Sequence, residues 1–447
     1  MKHAFTIILC ICIFVFSGCN IYNPVFDETQ STGDTDIITE VTTDSYIEFK
    51  PITNDELFEY VISKWKQNKV DDLYEYADDE LMKLLNKNDF TYLFDSISKI
   101  GGKLKDIANK QSSTSNGIVT YNAKLNFENI TAEVSISFRN LKICAFTRNV
   151  YFKNTFEINH GNSIKEKYFI FENDGFSLNA VYTCVEDDKA HPAVLLIAGS
   201  GPSDYNETIG LLTPFEDIAL GLAQNGINSL RIDKRTLNYA SEFSVQSGVE
   251  EEYISDCNAA VEYLKSQKNS GIYLLGHSLG GQIATKLASN DNDIEGIILF
   301  NSSARHLADI TSDQYIALDP SNKTSYINYS NAAKKATMSS AKGYYYYGVS
   351  DYYWASYNQL DTLKCISEAN LRALIINSTF DRQIFESDIN LWKTLLVNHE
   401  YVSISVYNDI SHFGYKIDTA DPSSIYRRTD FPTELISAFS YFIKEEN

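Results

Sequence analysis

Across residues 160–447 of this 447-residue chain, short apolar segments alternate with segments that carry apolar residues at helical spacing. Residues 194–198 are apolar throughout, which is typical of a strand buried on both faces near the centre of a parallel sheet. Further strands are predicted at residues 227–232, 272–275 and 371–377. Because strands that alternate with helices form a doubly wound sheet, we predict an α/β fold with a mostly parallel sheet.

The pentapeptide Gly-His-Ser-Leu-Gly at residues 276–280 joins the predicted strand at 272–275 to a predicted helix. In a strand–turn–helix of this kind, a strained turn lifts the serine above the edge of the sheet, and the glycines avoid clashes in the turn. The positive end of the helix also favours an anion that develops at the serine. We therefore predict that Ser278 is a nucleophile, with Gly276 and Gly280 forming the turn around it.

A serine nucleophile needs a base, and the base needs a carboxylate that orients it. Asp381 follows the predicted strand at 371–377, and His412 follows the next predicted strand, at 401–406. Both residues therefore lie beyond the carboxyl ends of strands, where sites collect in α/β sheets, and the chain order serine, aspartate, histidine suits such a site. We predict that Asp381 and His412 complete a triad with Ser278.

Three other polar residues near these strands are weaker candidates for the triad. His399 precedes its strand and so lies at the amino ends of the strands, away from the predicted site. Asp388 falls inside a predicted helix. Asp409 is close to His412 along the chain but comes out of order for the carboxylate. The prediction for the base and its carboxylate therefore stays with His412 and Asp381.

The loop after the strand at 194–198 contains Gly199, Ser200 and Gly201. Glycines in such a loop let backbone N–H groups approach a substrate closely. We predict that the backbone amides of Ser200 and Leu279 form an oxyanion hole, which stabilises negative charge on an attacked carbonyl oxygen. No Gly-Lys-Ser or Gly-Lys-Thr follows the loop, so a nucleotide phosphate site is not expected.

The start of the chain predicts export and a membrane anchor. Residues 4–16 form an apolar run that is too short to span a bilayer, so we interpret residues 1–18 as a signal peptide. The segment Phe-Ser-Gly-Cys that ends at Cys19 resembles a bacterial lipobox, although Phe replaces the usual Leu. The resemblance implies a lipid anchor on Cys19 at the outer face of the cell membrane, with simple secretion as the alternative. Residues 19–50 are acidic and polar, which predicts a solvated tether.

The overall charge restricts the partners of the chain. It carries 38 basic and 59 acidic side chains, for a formal net charge of −21. This excess argues against nucleic acid or an anionic membrane surface as the main partner, because phosphate binding relies on Lys and Arg. The cysteines after residue 19 have neither a CxxC nor a metal-ligand spacing, so we expect free thiols and no metal site there; they are Cys144, Cys184, Cys257 and Cys365. The sequence leaves the oligomeric state open.

Residues 301–370 form an insertion that is rich in aromatic residues, including those at 344–347 and 352–354. We expect this insertion to cover the pocket as a lid, because segments inserted between the strands of a rigid sheet often carry binding functions. Two interpretations of the aromatic residues stay open. They form either the packed core of a helical lid or a wall that binds substrate.

Residues 51–150 predict a small α+β domain ahead of the sheet. Helical spacing in its first half gives way to alternating strands at 118–127 and 130–138. The segment resembles the small NTF2/cystatin-like domain, of the DUF3887 type, that precedes some bacterial secreted hydrolases. It contains no catalytic constellation, so we expect a role in packing or in shaping the substrate site.

Three segments carry a more specific resemblance: Gly-Ser-Gly-Pro-Ser-Asp-Tyr-Asn-Glu-Thr-Ile-Gly at residues 199–210, Ile-Asp-Lys-Arg at 232–235, and Gly-His-Ser-Leu-Gly-Gly at 276–281. They resemble a family of bacterial α/β-hydrolases that includes EstD-type carboxylesterases and relatives of dienelactone hydrolase. The resemblance implies an α/β-hydrolase fold, carboxylesterase activity on short acyl esters without a metal or organic cofactor, and the triad and oxyanion donors named above. Asn206 departs from an acidic residue in the pattern. We expect residues 233–235 to brace the edge of the sheet rather than to contact substrate.

Three functional hypotheses follow from these observations. The first is hydrolysis of a small-molecule ester through an acyl-enzyme on Ser278. The second uses the same triad on peptides or for acyl transfer to an alcohol, and the sequence does not separate it from the first, because specificity lies in the lid and pocket. The third is an inactive envelope-binding module, against which the complete, ordered triad argues.

Overall fold

The computed structural model describes residues 50–368, 371–396, 399–418 and 428–445. The predicted signal peptide at residues 1–18, Cys19, and all but the last residue of the predicted tether lie outside the described residues. In the part of the chain that the structure describes, no helix is both long enough and apolar enough to cross a membrane.

A small α+β unit comes first, with helices packed against an antiparallel sheet of strand order β1-β2-β3-β4. Its elements are α1 (Asn54–Lys66), a 3₁₀ segment (Val70–Tyr76), α2 (Asp79–Leu84), α3 (Lys87–Gly101), β1 (Leu104–Ser115), β2 (Ile118–Phe127), β3 (Ile130–Arg139) and β4 (Lys142–Phe152). A capping box starts α1, because the Glu56 N–H donates to the Thr53 hydroxyl and the Glu56 carboxylate accepts from the Thr53 N–H. The sequence did not predict β1, since most of its residues are exposed and it has no apolar alternation.

A nine-stranded sheet forms the centre of the rest of the chain, in the order β15-β14-β11-β10-β8-β9-β7-β6-β5. Its strands are β5 (Phe156–Gly161), β6 (Ile164–Asn173), β7 (Phe176–Val185), β8 (Ala193–Ile197), β9 (Asn228–Ile232), β10 (Ile272–His277), β11 (Ile294–Phe300), β14 (Ala373–Ser378) and β15 (Val402–Tyr407). The strands from β15 to β9 run parallel, and β7, β6 and β5 continue the sheet in antiparallel fashion. The predicted mostly parallel sheet is confirmed, although its edge strand β5 begins ahead of residue 160.

Helices cover both faces of this sheet, because successive side chains of a strand point to opposite faces. In β8, Val194 and Leu196 pack on one face with the helices at 214–224 and 433–444, while Leu195 and Ile197 pack on the other with the helices at 255–266, 279–290 and 386–396. These helices are α4 (Pro214–Gln224), α5 (Arg235–Asn238), α6 (Ser255–Ser266), α7 (Leu279–Asn290), α12 (Glu386–Leu396) and α13 (Thr433–Lys444), and a π-helical turn (Glu250–Ile254) leads into α6. The central strands are thus buried on both faces, which explains why the sequence of β8 is wholly apolar.

The insertion between β11 and β14 forms a helical lid. It contains α8 (Leu307–Leu318), a 3₁₀ turn (Pro320–Asn322), α9 (Lys323–Lys335), β12 (Tyr345–Tyr346), β13 (Val349–Ser350), α10 (Asp351–Tyr357) and α11 (Thr362–Glu368). Several of its aromatic side chains, among them Tyr347, Trp354 and Tyr357, are buried in the same core as one face of the sheet. Tyr344 and Tyr345, in contrast, are 60% and 55% exposed.

Candidate active site

The turn after β10 holds Ser278 in a backbone conformation that residues other than glycine rarely adopt, with φ 53° and ψ −121°. Such strain persists only where the surroundings enforce it. A Cβ on Gly276 would lie 2.1 Å from the Gly280 carbonyl oxygen, and a Cβ on Gly280 would lie 2.1 Å from the carbonyl oxygen of Ile197. The flanking glycines are therefore required by close backbone contacts, and the turn leaves Ser278 at the start of α7.

Asp381 and His412 meet beyond the carboxyl ends of β14 and β15. The Nδ1 atom of His412 donates to Asp381 Oδ2 at 2.6 Å, and both side chains are buried. The other carboxylate oxygen of Asp381 accepts the backbone N–H groups of Gln383 at 2.7 Å and Ile384 at 2.9 Å. Because Nδ1 carries the proton in this pair, Nε2 of His412 is left as the free acceptor that a general base requires.

The backbone of His412 is tied to the strand that carries Ser278. Its carbonyl oxygen accepts Nε2 of His277 at 2.9 Å and Nδ2 of Asn301 at 2.7 Å, and the rings of His277 and His412 lie 4.5 Å apart. Among the described residues, no hydrogen bond joins Ser278 Oγ to His412. The structure thus forms the Asp381–His412 bond and places the His412 ring next to His277, the residue before Ser278.

Ser200 and Leu279 line the same cavity as Ser278. The preceding amide, of Gly199, is taken up by a hydrogen bond to Glu207 Oε1 at 2.7 Å. Within the described chain, neither the Ser200 nor the Leu279 amide donates to a protein acceptor. Both amides are therefore available to donate to an anion that forms at Ser278.

The cavity has a volume of about 30 Å³ and lies under α8 of the lid. Leu307, Ile310, Thr311 and Gln314 of α8 line it, and no ionisable side chain is among its lining residues. None of the lid tyrosines or Trp354 lines it. The buried aromatic residues of the lid therefore form a packed core. They do not form a wall of this cavity.

Lys234 holds the loop of Gly199 and Gly201 from below, a contact that the sequence did not predict. Its ammonium group donates to the carbonyl oxygens of Gly199 at 3.1 Å and Gly201 at 2.6 Å, and to Glu252 Oε1 at 2.6 Å. Burial lowers the pKa of Lys234 from its ordinary value, and the Glu252 carboxylate opposes that effect. Residues 233–235 are not among the residues that line the cavity, but Lys234 braces the loop of Gly199 and Gly201 rather than the edge of the sheet.

The lid is connected to this brace through Tyr353 of α10, whose hydroxyl donates to Glu252 Oε2 at 2.6 Å. Tyr253 adds a further bond, because its hydroxyl donates to the Gly199 carbonyl oxygen at 2.5 Å. A chain of hydrogen bonds therefore runs from the lid to the loop that carries Ser200. This chain of hydrogen bonds could not be predicted from the sequence, because its residues are far apart along the chain and belong to no local motif.

The fold and the site together define the class of protein. A strained serine turn after a central parallel strand, with an Asp–His pair beyond the next strands, is the arrangement of the α/β-hydrolase fold. The fold class that we predicted from the sequence is confirmed.

Comparison with known proteins agrees with this class. Residues 59–146 match the family described as a protein of unknown function (DUF3887), and residues 205–324 match the family described as serine aminopeptidase, S33. Esterase EstD from Thermotoga maritima is 31% identical over 250 residues, which make up 54% of this chain and 60% of EstD. The match therefore spans less than two thirds of that relative.

Solved structures of esterases also align with the chain. Est1E from Butyrivibrio proteoclasticus aligns over 62% of this chain and 98% of its own, with 13% identity and a TM-score of 0.42. An esterase from Pyrococcus furiosus aligns over 66% of this chain and 98% of its own, with 18% identity and a TM-score of 0.42.

Proposed function

We propose that this protein is a serine carboxylesterase that hydrolyses esters with a short, uncharged acyl group. The observation that carries the proposal is the buried Asp381–His412 pair, whose histidine contacts His277, the residue before the strained Ser278 turn. The EstD match supports ester hydrolysis in particular.

In the proposed mechanism, Ser278 Oγ attacks the ester carbonyl while His412 Nε2 takes its proton. The amides of Ser200 and Leu279 donate to the oxyanion of the tetrahedral intermediate. His412 then gives the proton to the departing alcohol, which leaves an acyl group on Ser278. A water molecule, deprotonated by His412, releases the acid by the same steps in reverse order.

The cavity supports the choice of acyl group. Its volume of about 30 Å³ is small, so we expect a short acyl group to fit more readily than a long chain. Its lining of aliphatic, amide and hydroxyl side chains has no charge to pair with a charged acyl group. We expect acetyl esters to be preferred over butyryl and octanoyl esters.

A second candidate function is removal of residues from the amino end of peptides, which the S33 family match favours. Recognition of a free α-ammonium group in a buried site calls for a carboxylate, and the residues that line the cavity include none. Esters therefore suit the cavity better than peptides with a free amino end. Hydrolysis of p-nitrophenyl esters of rising chain length, measured beside aminoacyl anilides, tests this choice. Faster cleavage of the anilides would reverse it.

We also propose that the protein is exported and anchored to the membrane by lipid on Cys19. The proposal rests on the apolar run at residues 4–16 and the lipobox-like segment that follows it. The lipobox resemblance implies that Cys19 carries a lipid with two fatty chains, and two chains hold a protein at a membrane stably where one does not.

A further inference from the structure

Both ring nitrogens of His277 face oxygen atoms in the interior. Nδ1 lies 2.8 Å from Glu207 Oε1, and Nε2 lies 2.9 Å from the carbonyl oxygen of His412. A carbonyl oxygen only accepts hydrogen bonds, so Nε2 must carry a proton. Glu207 Oε1 already accepts the Gly199 N–H, so the contact with Nδ1 also needs a proton between the two atoms. His277 and Glu207 therefore form a proton-sharing, charge-assisted pair.

This pair lies next to the backbone of the nucleophile. His277 directly precedes Ser278, and a Cβ on Gly199 would lie 3.1 Å from Ser278 Cβ and 3.2 Å from Glu207 Oε1. Glu207 is buried, at 8% exposure, and reaches this position from a left-handed backbone conformation with φ 53°. The buried Glu207 and His277 thus connect the backbone next to Ser278 with the loop of Gly199 and the loop of His412.

We propose that Glu207 and His277 are positioning residues. They hold the loop that carries Ser200 and the loop that carries His412 in place around Ser278. The proposal rests on the proposed function, since it assigns these residues to the same site. Glu207 fixes the Gly199 amide and thereby the orientation of the next amide, that of Ser200. His277 fixes the carbonyl group of His412 and thereby the ring that Asp381 orients.

Electrostatics supports a persistent pair. Burial lowers the pKa of the His277 imidazole, but the Glu207 carboxylate more than offsets this, with smaller contributions from the His412 carbonyl and the Asp381 charge, so the pKa is raised from its ordinary value. The direction of this shift favours the doubly protonated imidazole, which is the form that donates both bonds. Without the carboxylate, the buried imidazole would lose a proton and one of its two bonds.

A purely structural role is the competing explanation, and the protein contains a matched example of one. Glu166 of β6 is also buried and accepts His160 Nε2 at 2.8 Å, the same distance as in the Glu207 pair. Its other partners are Arg231, Tyr168 and Thr183 rather than residues of the site. Glu166→Gln is therefore a control with the same chemical change in a similar setting away from Ser278.

The test measures kcat and KM for p-nitrophenyl acetate in the full chain, with active sites counted by an irreversible fluorophosphonate. Counting sites restricts the comparison to folded molecules. For Glu207→Gln we expect a loss of about 10- to 100-fold in kcat, as is usual for groups that orient catalytic residues, with KM changed by less than about threefold. Glu166→Gln should keep the wild-type kcat per active site, whatever it does to stability. Equal kcat values in wild type and Glu207→Gln would overturn the proposal.

A double-mutant cycle tests whether Glu207 acts through His277. In His277→Gln, the amide nitrogen still reaches the His412 carbonyl but the bond to Glu207 is lost. Adding Glu207→Gln to this background should change kcat by less than about threefold, because the coupling is already gone. Two independent, additive losses would refute the coupling. Failure of the proposed function has a different signature, since the wild type would then show no ester hydrolysis that Ser278→Ala abolishes.

Discussion

The ring of Phe152, at the end of β4, lies 5.3 Å from the ring of Tyr205, which belongs to the loop after β8. Tyr205 is 5% exposed and its N–H donates to Asp233 Oδ1 at 2.8 Å. Tyr205 and Leu211 of this loop are part of the same core as the helices and sheet of the small unit. The small unit therefore packs directly against the loop that carries Ser200.

This shared core predicts that both units unfold together. Phe152→Ala should lower the free energy of unfolding by about 3–5 kcal/mol, as is typical of a buried phenylalanine. Calorimetry should show one transition, shifted as a whole. Tyr344→Ala, a change at an exposed aromatic residue, should stay within about 0.5 kcal/mol of wild type. Two separate transitions, only one of which moves, would show that the cores are independent.

The raised pKa of His277 predicts a dependence of stability on pH. Since its pKa in the folded protein exceeds that in the unfolded chain, the stabilisation is fully present below the unfolded value of about 6.5 and is lost as pH rises through the folded value. The charged groups that raise this pKa are Glu207 and Asp381. The advantage of wild type over His277→Gln in denaturant midpoint should therefore shrink as the pH is raised from about 6 to about 9. A constant difference would contradict the assignment of the charge.

Asp381→Asn should reduce kcat by about 10⁴, because the amide no longer selects the His412 tautomer with a proton on Nδ1. His399→Ala is the control, since His399 precedes β15 and so lies at the opposite edge of the sheet from Ser278. It should keep the wild-type rate. Initial rates with p-nitrophenyl acetate decide the matter, and an inactive His399 variant beside an active Asp381 variant would refute the assignment.

The lipid anchor predicts covalent labelling at Cys19. Cells that express the full chain and are fed a clickable palmitate analogue should label the wild type and not Cys19→Ser. Cys144→Ser, at a free cysteine of the small unit, should label like wild type. Equal labelling of the wild type and the Cys19 variant would remove the anchor.

The sequence predicted best where structure is determined locally. The apolar strand β8 and the glycines around Ser278 are explained by burial on both faces and by short backbone contacts, and both leave clear marks in the sequence. The exposed strand β1 leaves no such mark, because its position depends on pairing with β2.

The supporting residues of the site could not be predicted in the same way. Glu207 and His277 are 70 positions apart, and Lys234 is 35 positions from Gly199, so their bonds exist only once the sheet has formed. The signal available in the sequence for Glu207 was an acidic residue in the loop that follows Gly199 and Gly201. In the sequence, the neighbouring Asn206 is more conspicuous, because it departs from the pattern that this loop resembles.

The central claim is that Ser278 is the nucleophile, and the most direct measurement compares ester hydrolysis by wild type, Ser278→Ala and Ser203→Ala. Ser203 lies in the same loop as Ser200, but its hydroxyl donates to the Asp204 carbonyl. The Ser203→Ala variant should therefore stay near the wild-type rate. Ser278→Ala should fold normally and lose about 10⁴- to 10⁶-fold in kcat, along with all fluorophosphonate labelling. A Ser278→Ala protein that retains about a tenth of the wild-type rate would contradict the account.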